Sequence, residues 1–221
     1  VGSRKPTAYS RIYIQKLSSL LAKEGVCVVS GGAIGIDAVA HSGAGASNTI
    51  AVLPCGIDVR YPAINKNLLN DIQKSGLLLS QFEAGFCAAP WSFVVRNELV
   101  VALGEVLVVG EAEIDSGTMR SVEFALKMGK KIFVLPQRLS ESSGTNKLLK
   151  QGRAETIYDI EEFVSRFSTC RNTEPKKEDE FVLYCATNPT YDEAVAKFPQ
   201  RVFEAELSGD IKVENGRIFV L

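Results

Sequence analysis

Val26-Cys27-Val28-Val29-Ser30-Gly31-Gly32-Ala33-Ile34-Gly35-Ile36-Asp37-Ala38-Val39-Ala40-His41 reads as a strand, a glycine turn and a helix in direct succession. The opening run is short, apolar and unbroken, as expected of a strand covered on both faces. Gly31, Gly32 and Gly35 then punctuate the chain, and helical spacing starts at once. A buried strand that turns through glycine into a helix is the first half of a β–α–β unit.

The same alternation extends outward in both directions. Apolar runs recur at residues 49–53, 77–79, 106–109 and 131–135, and amphipathic stretches of helical length lie at 12–23, 65–74 and 121–128. Right-handed crossovers between such strands give an α/β fold with a doubly wound, mostly parallel sheet over residues 1–167. Residues 168–178 are polar, charged and contain Pro175, and they read as a linker. Residues 179–221 hold short helical patterns followed by Asn215-Gly216 between alternating strands, a hairpin signal that suggests a small winged-helix-like domain. At the other end, Gly2 is a glycine turn of the kind that follows a strand, so a first core strand is expected upstream of Val1.

Composition gives no hint of nucleic acid. The net charge is −1 over 221 residues, so a DNA-binding surface must be a local patch. The first 168 residues carry 18 basic and 16 acidic side chains, and the remainder carry 7 and 10. Cys27, Cys55, Cys87, Cys170 and Cys185 form no C-x-x-C pair and suit reduced thiols in a cytoplasmic protein. His41 is the single histidine, which argues against a His-rich metal site, and it reads as a packing residue one turn after Asp37. No run of about 18 apolar residues is present.

Ligands of a doubly wound sheet bind outside the carboxyl ends of its strands, and three loops there are unusual. In Gly2-Ser3-Arg4-Lys5-Pro6-Thr7, a glycine turn, a hydroxyl and two cations precede a helix, so Ser3, Arg4, Lys5 and the helix dipole could hold an anion. In Ser30-Gly31-Gly32-Ala33-Ile34-Gly35, a turn nearly free of side chains lets backbone approach a phosphate. Ser30 stands where a dinucleotide fingerprint has its first glycine, and Pro54-Cys55 follows the next strand where a ribose-binding acid is expected, so this is not an NAD site. Ser116, Gly117 and Thr118 form a third, weaker anion site. Trp91 and Phe93 precede Arg96 and Asn97, placing aromatic faces beside a cation, the usual arrangement for holding single strands. Neither a Walker A sequence nor a G-x-S-x-G elbow occurs.

In order along residues 1 to about 160, these segments resemble the DNA-processing protein A (Smf) family. The series runs Gly2-Ser3-Arg4, then S-G-G-A-x-G-I-D-x-x-A-H from Ser30, Tyr61-Pro62, Gly76 to Ser80, F-x-x-R-N from Phe93, V-V-G-E-A, Ser116-Gly117-Thr118 and Gly144-Thr145-Asn146. The resemblance implies a Rossmann-like domain that binds single-stranded DNA in natural transformation, forms a homodimer and helps load the RecA recombinase, with no cofactor, metal or catalysis. It carries Arg4, Gly31, Gly32, Phe93, Arg96 and Asn97 into a DNA pocket. Glu98 stands where the family has a second arginine and is expected to point away from that pocket.

Two other readings compete. Ser116-Gly117-Thr118 with Glu123 faintly echoes the G-G-x-G-T motif of nucleotide phosphoribohydrolases of the lysine-decarboxylase-like group. The acidic tail suits an assembly module, because Val202-Phe203-Glu204-Ala205-Glu206-Leu207 would set carboxylates against duplex phosphates.

Overall fold

Thr7 explains where the first helix begins. Its side chain accepts the Ser10 amide, so α1 runs Ala8–Lys23, one turn earlier than its apolar spacing indicates. The remaining elements of the computed structural model follow the alternation read from sequence. They are β1 Val28–Ser30, α2 Ile36–Ala44, β2 Thr49–Leu53, α3 Lys66–Ser75, β3 Leu77–Ser80, α4 Pro90–Leu103, β4 Leu107–Val109, α5 Thr118–Lys127, β5 Ile132–Val134, α6 Ser143–Lys150, β6 Glu155–Thr156 and α7 Ile160–Ser165. The structure describes residues 1–168, 180–185, 187–214 and 216–220.

All strand pairs in this part are parallel. One sheet has the order β1-β2-β3 and the other β4-β5-β6, with Val29 opposite Ile50 and Val108 opposite Phe133. Side chains of β5 alternate, as the pleat requires. Phe133 joins Ile14, Leu17, Ile36 and Phe163 on the face covered by α1, α2 and α7. Ile132 and Val134 join Val101, Val122 and Leu148 on the opposite face, under α4, α5 and α6. Helix α3 seats Leu69 and Ile72, both fully buried, on Ala51 and Leu53. Each such side chain contributes about 1.5–3 kcal/mol. Among the described residues no helix is long and apolar enough to cross a membrane.

Val1 lies alongside β4. Its amine donates to Val108 O at 3.0 Å and its carbonyl accepts from the Gly110 amide at 3.1 Å, the pattern of a parallel pair with Val109. Beside it a cavity of about 390 Å³ separates β1 from β4.

The chain divides into two compact units, Val1–Thr169 and Cys170–Leu221. The second contains α8 Glu180–Cys185, α9 Tyr191–Lys197, α10 Pro199–Ser208, and the antiparallel strands β7 Ile211–Glu214 and β8 Arg217–Val220. Val202, Ala205, Ile211 and Ile218 close its core, and Thr190 with Glu193 forms a capping box at α9. The linker expected at residues 168–178 falls, beyond Ser168, outside the described residues.

His41 is a packing histidine. It is fully buried, and Nδ1 lies 2.6 Å from Thr49 Oγ1, which itself donates to Val28 O at 2.6 Å. The hydroxyl has only one hydrogen, so Nδ1 carries the imidazole proton. Burial pushes the His41 pKa down to about 4 from 6.5. The unfolded chain therefore takes up a proton at higher pH than the native one, and stability falls as pH drops from about 6.5 towards 4. Between pH 7 and pH 5 this loss is about 2 kcal/mol. Urea unfolding at both pH values should show it in the wild type and not in His41→Asn.

Candidate nucleic-acid interface

The carboxyl ends of β1, β2 and β4 open on one cleft, where the crevice of a doubly wound sheet is expected. Its main cavity holds about 630 Å³ and is lined by Ser3, Arg4, Ala33, Asp37, Phe93, Val94, Arg96, Asn97, Glu113, Arg120 and the Ser116-Gly117-Thr118 turn. A narrow recess of about 50 Å³ adjoins it, between Arg4, Gly31, Ala33, Ile34, Pro54, Tyr61 and Phe93.

Arg4 and Phe93 form its centre. The exposed Arg4 guanidinium sits 5.4 Å from the Phe93 ring centroid, within cation–π range. Tyr61 meets the same ring edge-on at 5.6 Å. Gly35 lets the first two loops touch. Its φ is +86°, and a Cβ there would lie 2.3 Å from Ser3 O. The Ser3 amide donates to Glu111 O at 2.8 Å, and its carbonyl accepts from the Ile36 amide at 3.1 Å.

Arg96 acts from below. Only 4 % exposed, it donates through Nη1 to Gly31 O and to Val52 O, the latter at 3.0 Å, and through Nε to Asn97 Oδ1 at 3.0 Å. Burial lowers its pKa, and nearby Asp37 opposes that shift. A Cβ on Gly31 would overlap the Arg96 guanidinium, so a side chain there would displace Arg96 from its carbonyls. Asn65 Nδ2 holds the next carbonyl, Gly32 O, at 3.0 Å.

Of the residues expected from sequence, Ser3, Arg4, Ala33, Phe93, Arg96, Asn97, Ser116, Gly117 and Thr118 line the main cavity, and Gly31 the recess. Others do not reach either space. Ser30 is buried at 1 % exposure and lines the cavity between β1 and β4 instead of the cleft. Trp91 and Phe93 are two positions apart on a helix, hence on different faces, and Trp91 packs edge-on against Phe82 at 5.7 Å. Lys5 is exposed outside the lining, Gly32 is backbone support held by Asn65, and Gly35 lies beneath the Arg4 loop.

The α1 dipole does not serve the cleft either. Thr7 N and Oγ1 both donate to Glu111 Oε2, each at 2.9 Å, so an internal carboxylate already occupies that helix terminus. Likewise Ser116 Oγ donates to Glu113 O at 2.6 Å, leaving the third loop its backbone rather than this hydroxyl. Helix α5 has Gly117 at its N-cap with no side-chain cap bond, and its first turn borders the cleft. Glu98 is exposed and does not line the cavity, as expected.

Sequence reasoning missed Tyr61, Asp37 and Glu113 as cleft residues. Tyr61-Pro62 was visible as a motif, but only the fold brings it to Phe93. Glu113 is engaged elsewhere, its carboxylate accepting from the Ser143 amide at 3.3 Å and from the Ser143 hydroxyl. Among the described residues no group of three or more His, Cys, Asp or Glu side chains is placed to hold a metal ion.

Truncating Arg96 leaves two buried carbonyls without a donor. Arg96→Ala should lower unfolding stability by about 3 kcal/mol. Arg96→Lys should recover only part of that, since an ammonium cannot reproduce the fork. Urea midpoints of the three proteins measure both effects.

The sequence model of the DNA recombination-mediator protein A family matches residues 1–168. A DNA processing protein DprA relative in Mycobacterium tuberculosis is 38% identical over 183 residues, covering 80% of this chain and 47% of the relative. The DNA processing protein DprA of Bacillus subtilis is 31% identical over 166 residues, covering 73% and 56%. The chain thus spans about half the length of the curated relatives it matches. Among solved structures, DNA processing protein A from Helicobacter pylori, described for its single-stranded DNA binding mode, aligns with TM-score 0.74 and 42% identity over 76% of this chain and 77% of that one. The Streptococcus pneumoniae DprA structure aligns with TM-score 0.67 and 31% identity over 75% and 59%.

Proposed function

Because the chain belongs to the DNA recombination-mediator protein A family, we propose that its cleft binds single-stranded DNA, with Arg4 on a backbone phosphate and Phe93 against a base. The observation that carries this reading is the Arg4 guanidinium 5.4 Å from the Phe93 ring at the mouth of the cleft. An incoming base can take the ring face while the guanidinium swings to the adjacent phosphate, the pairing that holds single strands without reading sequence. Thr118, at the start of α5, and Asn97 can reach the strand from the same wall. The Helicobacter pylori relative, for which single-strand binding is described, shares 42% identity with this chain.

The protein acts by binding rather than catalysis in this reading. Its one histidine is buried and bonded to Thr49, away from the cleft. The competing phosphoribohydrolase reading rests on Glu123, which pairs with Arg120 at 2.9 Å and does not line the cavity. The acids that do line it are engaged by the protein, Glu113 by the Ser143 amide and Asp37 by the Ala33 amide. Release of free base from nucleoside monophosphates would favour the enzyme, and none is expected.

Family resemblance further supports a cytoplasmic homodimer that protects incoming strands in natural transformation and passes them to RecA. The carboxyl-terminal unit, with three helices and a hairpin among its described residues, fits a winged-helix-like domain. Glu204 and Glu206 are exposed on α10, so a protein-contact or structural role suits it better than duplex binding.

Arg4→Ala should weaken oligothymidine binding and reduce the slope of log affinity against log salt by about 0.7, the value for one lost single-strand phosphate contact. Phe93→Ala should cost about 1–3 kcal/mol of binding, and Trp91→Ala should cost almost nothing. Fluorescence anisotropy across several salt concentrations separates the three. Unchanged affinity in Arg4→Ala would remove the phosphate assignment.

A further inference from the structure

We propose that Glu111 is a positioning residue for strand binding, fixing the loop that presents Arg4; this rests on the single-strand reading above. Glu111 leaves the end of β4 and is 9 % exposed. It holds the Arg4 loop at both ends. Its carbonyl accepts the Ser3 amide at 2.8 Å, and its Oε2 accepts Thr7 N and Thr7 Oγ1, each at 2.9 Å. Between those anchors lie only Arg4, Lys5 and Pro6, and Pro6 is buried with φ fixed by its ring. Lys5 N closes back on Ser3 Oγ at 3.0 Å. The loop has few backbone freedoms left, and Arg4 is its side chain at the cleft.

The carboxylate is itself held in place. Thr7 Oγ1 accepts the Ser10 amide at 3.2 Å and contacts Ser10 Oγ at 3.1 Å. Gln137 Nε2 donates both to Ser10 Oγ and to Gly110 O, each at 3.0 Å, returning the chain of bonds to the residue beside Glu111. A closed circuit of this kind gives the carboxylate one orientation, and a guanidinium can engage phosphate well only from a fixed base. Its negative charge faces the α1 amino terminus and not the cavity, so it does not repel the strand.

A cap that served only stability would affect unfolding and leave binding alone. The two roles separate in a double-mutant cycle on oligothymidine, measured well below the melting temperature. Glu111→Ala should weaken binding about tenfold, the worth of one charge-assisted hydrogen bond, and lower the salt slope as Arg4→Ala does. In an Arg4→Ala background the same change should have no further effect, because the side chain it positions is gone. Glu111→Gln keeps an acceptor for Thr7 N and should restore most of the affinity. Glu111→Ala with unchanged affinity, or with an effect additive to that of Arg4→Ala, overturns the proposal. If Arg4→Ala is itself silent, the single-strand reading of Arg4 fails first, which is a different result. Should Glu111→Ala not fold, Thr7→Val removes the hydroxyl bond to Glu111 together with the Ser10 cap and keeps the Thr7 amide bond. It should weaken binding severalfold in the presence of Arg4 only, and no change would equally overturn the proposal.

Discussion

A guanidinium buried beneath the cleft sets the terms for everything around it. Removing Arg96 from water is costly, and the carbonyls of Gly31 and Val52 with the Asn97 amide offset that cost. The two carbonyls lie where β1 and β2 reach their carboxyl ends. Arg96 thereby ties α4 to both strand ends and fixes the rotation of that helix. Phe93, three residues earlier on the same face, is consequently presented to the cleft. Gly31 follows from the same constraint, since any Cβ would overlap the guanidinium.

The cations around the cleft divide between support and contact. Arg96 gives Nη1 and Nε to protein acceptors at the cavity wall, and Arg4, exposed over Phe93, is available to a ligand. The acids divide in the same way. Glu111 and Glu113, two residues apart after β4, take the amino termini of α1 and α6. At α5 the Met119 and Arg120 amides turn back on the Ser116 and Gly117 carbonyls, and the first turn borders the cavity. A chain with net charge −1 can in this way present a locally cationic rim. Glu111 is held inside against the α1 terminus, and Glu113, though it lines the cavity, has its carboxylate engaged by Ser143.

The sequence by itself determined the α/β class, the parallel strands and the three loops that meet at the cleft. Unbroken apolar runs and glycine turns are local signals, and burial on both sheet faces leaves them little alternative. It also determined that Arg4, Phe93 and the Ser116-Gly117-Thr118 turn were candidates, because cations, aromatics and small residues at strand exits have few structural uses. Tertiary structure alone decided which candidates meet. Trp91 and Phe93 look equivalent in sequence, and only the rotation of α4 sends one to Phe82 and the other to Arg4. Arg96 reads only as a ligand contact in sequence, and its burial adds a structural role, with Nη1 and Nε on protein acceptors. Glu111, Tyr61 and Asn65 were not legible as site residues, because their partners lie 104, 32 and 33 residues away. Periodicity reports a residue's own environment, whereas a hydrogen bond across loops depends on where another part of the chain arrives.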